Sequence, residues 1–256
     1  MDERERALAR SFAGLDYEGF RALAGRADLS ANERIGFPDS VRGGREAAIL
    51  ADIRAKLPAL AEGAAPGLVV DIGPGAGPLA QALVAACRAQ GHALWLLDSP
   101  EMLAALPEGP GLTKRAGRFP DGTGPLPELA GQADAVLCYS VLHYVFAGQP
   151  LVPFLDAALA LLKPGGALLL GDLPNASMRR RFLAGAAGRA FHRAYTGRDE
   201  DPVLATHPAT EGEMDDSVLL SLVTRARALG FDAWVLPQPP GLPMANRRED
   251  ILVRRP

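Results

Sequence analysis

Three glycines at every second position, Gly73, Gly75 and Gly77, with Pro74 between the first two and Asp71 just ahead of them, stand in the stretch VVDIGPGAGPLA. Glycine has no Cβ, so a ligand can lie directly against such a loop, and the N–H groups that open the following helix add donors. A dinucleotide loop needs G-x-G-x-x-G, its third glycine one residue later, so that a pyrophosphate reaches a helix N-terminus. The spacing here is different. A second carboxylate, Asp98, closes the apolar run HALWLLD about twenty residues further on, a position from which a carboxylate can accept hydrogen bonds from both hydroxyls of a ribose. His143, just after ADAVLCYS, is the best-placed histidine for general-base work, since an unperturbed imidazole titrates near neutrality. Many histidines at such positions simply pack against helices, and that reading stays open. His192, Tyr195 and His207 are further acid–base candidates, each more ordinarily exposed or satisfied.

These residues need a scaffold of strands and helices. Val69–Ile72 reads as a buried strand, and LAQALVAACRAQ after Pro78 as a helix stopped by Gly91. Further strands are expected at His92–Asp98, Leu112–Ala116, from Ala133 through Cys138 and Tyr139, at ALLLGD ending on Asp172, at FDAWVLP and at EDILVRR. Helices are expected before residue 30, from about Arg45 to Leu57, from about Leu151 to Leu162, and after an N-cap at Asp216 or Ser217 up to Gly230. Pro38 with Asp39 and Ser40 reads as a turn. Strands alternating with helices point to a parallel α/β sheet, whose ligands sit beyond the carboxyl ends of the strands.

The D-x-G-x-G-x-G loop, the acid at Asp98 and the L-x-P-G-G turn at Lys163–Gly166 together resemble the class I S-adenosylmethionine-dependent methyltransferases, over roughly Leu68 to Arg255. The resemblance implies a Rossmann-like, doubly wound seven-stranded sheet, mostly parallel with an antiparallel last strand, plus N-terminal helices and a helical insertion. It implies a helical cap over residues 1–62 and a cofactor-binding domain over 63–256 with a substrate-side insertion at 173–215. S-adenosylmethionine is the implied cofactor, its methionine part among Asp71, Gly73, Pro74, Gly75 and Gly77, its ribose on Asp98, and its adenosine near Ser99 and Met102. Ser99 could equally cap a helix, and Met102 could equally be core. Where the family often has an acid for the adenine amino group, this chain has Arg118; Phe119 is then left to hold the base, and any acidic contact would fall to Asp121. Cys138, Tyr139 and Ser140 are expected to face the cofactor. Arg42 or Arg45, in the segment that commonly closes over such sites, could pair with a carboxylate.

Composition narrows the reaction. The 256 residues, 48% apolar, can bury a large core, and a net charge of −3 offers no overall basic surface for nucleic acid. No proline-proline-aromatic or Pro-Cys motif follows the fourth strand, which argues against DNA-base methylation. Two separated cysteines suggest neither a disulfide framework nor a metal site, no run is apolar enough for a membrane span, and the charged N-terminus is unlike a signal peptide, so a cytoplasmic protein is expected. Small-molecule methylation, at a hydroxyl oxygen above all, is the expectation; a homodimer is possible. Arg179, Arg180, Arg181, Arg189, Arg193 and Arg198 in the insertion suggest an anionic acceptor such as a nucleotide-linked sugar or glycan, or else a solvated helix balanced by the DEDP that follows. A non-catalytic cofactor-binding subunit and a nicotinamide enzyme are the rival readings.

Overall fold

The computed structural model describes residues 3–256 apart from 13, 125 and 205–212. The chain runs through α1 (Glu3–Ser11), α2 (Tyr17–Ala24), α3 (Asp39–Arg42), α4 (Glu46–Lys56), β1 (Leu68–Ile72), α5 (Pro78–Gln90), β2 (Ala93–Asp98), α6 (Pro100–Ala104), β3 (Leu112–Ala116) and β4 (Ala133–Tyr139). It continues through α7 (Leu142–Gly148), α8 (Leu151–Ala160), β5 (Leu162–Pro174), α9 (Ala176–Ala184), α10 (Ala186–Thr196), α11 (Asp216–Ala228), β6 (Asp232–Pro237) and β7 (Arg248–Arg254). The sheet order is β3-β2-β1-β4-β5-β7-β6, with β7 antiparallel to both neighbours and the remaining pairs parallel. This is a Rossmann-like methyltransferase fold.

Strand alternation divides the core in two. One face of the sheet, with Val70, Ile72, Val136, Cys138 and Ile251, packs against Phe154 and Leu155 of α8 and Leu219, Leu222 and Val223 of α11. The other, with Val69, Leu94, Leu96, Leu137 and Leu252, packs against Ile49 and Ile53 of α4 and Leu83, Val84 and Cys87 of α5. Helix α4 is therefore part of the central core despite preceding β1. Helix α5 ends where Gly91 turns left-handed, φ 72°, as the sequence expects.

Two local expectations are corrected. Pro38 and Asp39 open the short helix α3 instead of a simple turn, because Pro38 tolerates the N-terminal position where no N–H is needed. The cap of α11 is Asp215, one residue earlier than expected, its carboxylate accepting from the Ser217 and Val218 N–H groups. Leu142–Val145 is already helical. Among the described residues no helix is long and apolar enough to cross a membrane.

Polar contacts lock α4 to the far side of the sheet. Lys56 Nζ lies 2.6 Å from carboxylate oxygens of both Asp52 and Asp250. Asp250 is fully buried, and its other oxygen accepts from Gln238 Nε2 at 3.0 Å and from the Asp172 N–H at 2.8 Å. Removing the cation would strand two carboxylates inside the protein. Lys56→Met is expected to cost about 3–5 kcal/mol in urea unfolding, the range for breaking a buried pair; a loss below about 1 kcal/mol would show that this network contributes little.

Candidate active site

β1 ends at Ile72, and the backbone then turns left-handed at Gly73 (φ 73°) and Gly75 (φ 63°). Gly73 N–H still donates to Leu97 O at 2.8 Å, so the loop leaves the sheet in register with β2. A Cβ on Gly73 would come within 2.6 Å of Val141, which shows how closely the exit from β4 sits on the loop. At the end of β2, Asp98 accepts from the Gly75 N–H at 2.8 Å and the Ser99 N–H at 2.6 Å. Its carboxylate thus holds the glycine loop while lining a cavity of about 670 Å³.

Gly73, Pro74, Gly75, Asp98, Met102, Arg118, Phe119 and Tyr139 all line this cavity. Leu97 and Ile72 add apolar wall, and Phe119 is braced edge-on by Phe154 at 5.4 Å. Arg118 donates to Gly148 O at 2.8 Å. The other expected cofactor residues lie elsewhere. Ser99 is buried and caps α6 by accepting from the Met102 N–H. Cys138 points into the α8–α11 core, because alternation along β4 sends Cys138 and Tyr139 to opposite faces of the sheet. A Cβ on Gly77 would meet Ile35 Cδ1 at 2.5 Å, so this glycine makes room for the N-terminal segment and not for the open cavity. Asp71 is buried behind the loop. Asp121 is exposed and outside the lining, which leaves Arg118 without an acidic substitute there.

Burial pushes the Asp71 carboxyl up to about 8, with the charge of Asp98 adding to the effect. Burial also raises Asp98, to about 6, against the pull of its two backbone N–H donors. A glycine cradle, a carboxylate reachable from the cavity, apolar walls for a purine and a volume typical of small-ligand sites fit S-adenosylmethionine.

At the edge of the first cavity, Ser140, which lines it just after β4, and Asp172, at the irregularity in β5 between Leu170 and Leu173, have left-handed backbones, φ 60° and 59°. Non-glycine residues rarely adopt this conformation, and such strain collects at functional sites. Ser140 Oγ donates to Asp172 Oδ2 at 2.5 Å and accepts from Arg42 Nη1 at 3.0 Å. Arg248 Nη1 reaches the same Asp172 oxygen at 3.0 Å. The Arg42 guanidinium, buried against the rings of Phe37 and Tyr139, therefore pairs with the chain's own carboxylate, whereas Arg45 is exposed. The positive φ values have no sequence signature, and the pairing partners of Arg42 could not be read from it.

A second cavity, about 810 Å³, adjoins the first and shares Asp16, Tyr144 and Gly148 with it. His143 lines this second space, not the first, with His192, Tyr195, Arg179, Arg247 and Arg248. Its Nδ1 is buried without a hydrogen-bond partner among the described residues, and burial, with the Arg248 charge, lowers its pKa to about 3. His207 lies outside the described residues. The sequence reading missed Arg247 and Arg248; the adjacent pair just before the last strand was its only signal. In the insertion, Arg193 pairs with Asp199 and Asp201 of the DEDP segment, Arg181 pairs with Asp216, and Arg189 donates to Ala184 O. Among these arginines Arg179 reaches the cavity.

The fold is that of the class I S-adenosylmethionine-dependent methyltransferases, and the first cavity fits S-adenosylmethionine. Residues 70–168 match the family model described as a methyltransferase domain. No curated protein sequence matches the chain. Among solved structures, it is similar to an S-adenosylmethionine dependent methyltransferase from Mesorhizobium loti, 18% identical, over 84% of this chain and 100% of that one, with a TM-score of 0.54. It is also similar to phosphoethanolamine N-methyltransferase 1 of Haemonchus contortus, 16% identical, over 98% of this chain and 49% of that one, with a TM-score of 0.57. At these identities the likeness is one of fold.

The sign of the carboxyl shifts gives a test. Asp71 and Asp98 titrate higher in the folded than in the unfolded chain, so their contribution to stability is complete below the ordinary carboxylate range and is lost as pH rises through about 6 and then about 8. The calorimetric melting temperature of the cofactor-free protein is expected to include a fall over this window, and Asp71→Asn to flatten its upper part. An identical pH profile for the two proteins would remove the shift assigned to Asp71.

Proposed function

We propose that the protein is an S-adenosylmethionine-dependent methyltransferase that acts on a hydroxyl oxygen of a small molecule, with His143 accepting the proton that the oxygen loses. Asp98 would hold the ribose, Gly73, Pro74 and Gly75 the methionine portion, and Met102, Arg118 and Phe119 the adenine. Asp71, buried behind the loop and pushed up to about 8, is mostly protonated near neutral pH in the empty site, and a cationic group bound beside it would favour its ionisation. Bound there, S-adenosylmethionine supplies a methyl group already activated by its sulfonium.

The observation that carries the choice of oxygen is the neutral, partnerless imidazole of His143 beside the junction of the two cavities. A base whose pKa is about 3 cannot deprotonate an ammonium in advance. It can take a proton from an oxygen that is becoming a protonated ether, because that oxygen is far more acidic than the starting hydroxyl. Asp172 is less suited to accept this proton, since it lines neither cavity and its Oδ2 already accepts from Ser140 and Arg248. Alignment supplies most of the remaining acceleration, and Tyr139, Ser140 and Tyr144 line the space where an acceptor would be oriented.

Incubation with methyl-labelled cofactor and a small-metabolite extract, read by mass spectrometry, should yield an O-methyl product. His143→Gln should lower kcat by about 100-fold, a typical general-base contribution, while the Kd for S-adenosylhomocysteine stays unchanged. An N-methyl product, or an unchanged kcat, overturns this reading. Separately, Asp98→Ala should abolish cofactor binding in calorimetry with the fold intact.

A further inference from the structure

The chain neutralises its arginines selectively. On the outer surface of α9 and α10, Arg181, Arg189 and Arg193 each have a carboxylate or carbonyl within reach. In the second cavity, Arg179 and Arg247 have no carboxylate partner among the described residues, although both are near Arg248. Repulsion from Arg248 and Arg179, together with burial as the largest cause, lowers the Arg247 pKa; Tyr195 and Asp172 oppose this only in part. Of the acids in the wall, Asp16 is engaged as the cap of α2, its carboxylate accepting from the Gly19 N–H at 2.8 Å. Phe191 supports the Arg247 guanidinium from one side, 5.8 Å from its ring centroid, and so helps fix its position.

Two guanidiniums in the wall of one cavity, contributed by α9 and by the segment before β7 and neither held by a carboxylate hydrogen bond among the described residues, make an oxyanion site. We propose that the second cavity is the acceptor subsite and that it selects small molecules bearing a carboxylate or phosphate, which Arg179 and Arg247 bind. The reacting hydroxyl then lies toward Tyr144, where the cavity meets the cofactor site, and His143 stands in the same wall. The bound anion compensates the guanidiniums and also raises the basicity of the His143 imidazole, because it offsets the positive charge of Arg248. The acceptor's anchor and the base are thereby coupled. This inference rests on the methyl-transfer reading.

The test uses full-length protein saturated with S-adenosylhomocysteine, titrated calorimetrically with inorganic phosphate or acetate at constant ionic strength in chloride. Wild type is expected to bind at least one of these anions. Phosphate alone would indicate a phosphate ester and acetate alone a carboxylate acceptor. Arg179→Gln with Arg247→Gln should weaken that binding about tenfold or more, the effect expected of lost charge-assisted contacts, whereas Arg198→Gln should leave it unchanged. Arg179 is exposed, so Arg179→Gln alone serves if the double variant does not fold. The His143 ring nitrogen resonances should shift during titration of wild type. Binding of neither anion, or equal binding by wild type and the double variant, overturns the proposal. If S-adenosylhomocysteine binds normally in that case, only the acceptor assignment falls; if it does not bind, the methyl-transfer reading falls as well.

Discussion

The Asp172 carboxylate is the point on which the arrangement of the site depends. Arg42 approaches it from the cofactor cavity and Arg248 from the second cavity, while Ser140 ties it to the end of β4. Its backbone N–H is held by Asp250, which reaches Lys56 on α4. One acidic residue thus joins the N-terminal segment, three adjacent strands and both cavities. Burying so much charge stabilises little on balance, since desolvation offsets most of the attraction; its effect is to specify one arrangement of the strand ends. The left-handed backbones of Ser140 and Asp172 fit that interpretation, because strain at such positions in neighbouring strands persists only where surrounding contacts fix it.

The cofactor half of the molecule was legible because its determinants are local. Gly73, Gly75 and Asp98 lie on consecutive strand ends, and their spacing along the chain reflects the distance a loop and a helix must cover before the next parallel strand. The sheet was legible for the same reason: alternating apolar strands and alanine- or leucine-rich helices leave few topologies. Cys138 marks the limit of that logic. Proximity to the strand end placed it at the site, but the two-residue period of the strand turned its side chain into the core.

The second cavity was mostly illegible because its walls come from segments far apart in the chain. Arg179, in α9, and Arg247, just before β7, line one cavity although far apart in the chain, and charge clustering in sequence drew attention to arginines that the structure neutralises. Arg42 shows the same limitation in reverse. It was recognised as a carboxylate-binding candidate, but its partner, Asp172, is set by long-range packing.

Asp71 and Asp98 place two unsettled acids beneath a loop that, in other α/β proteins, welcomes a phosphate. A positively charged ligand helps either acid to ionise and a phosphate opposes it, so the cradle favours a nucleoside with a positive tail over a phosphorylated one. The arginines on the far side of Asp172 have the opposite preference. On the proposed reading, a methyl donor and an anionic acceptor are sorted between the two compartments by charge before any shape is compared.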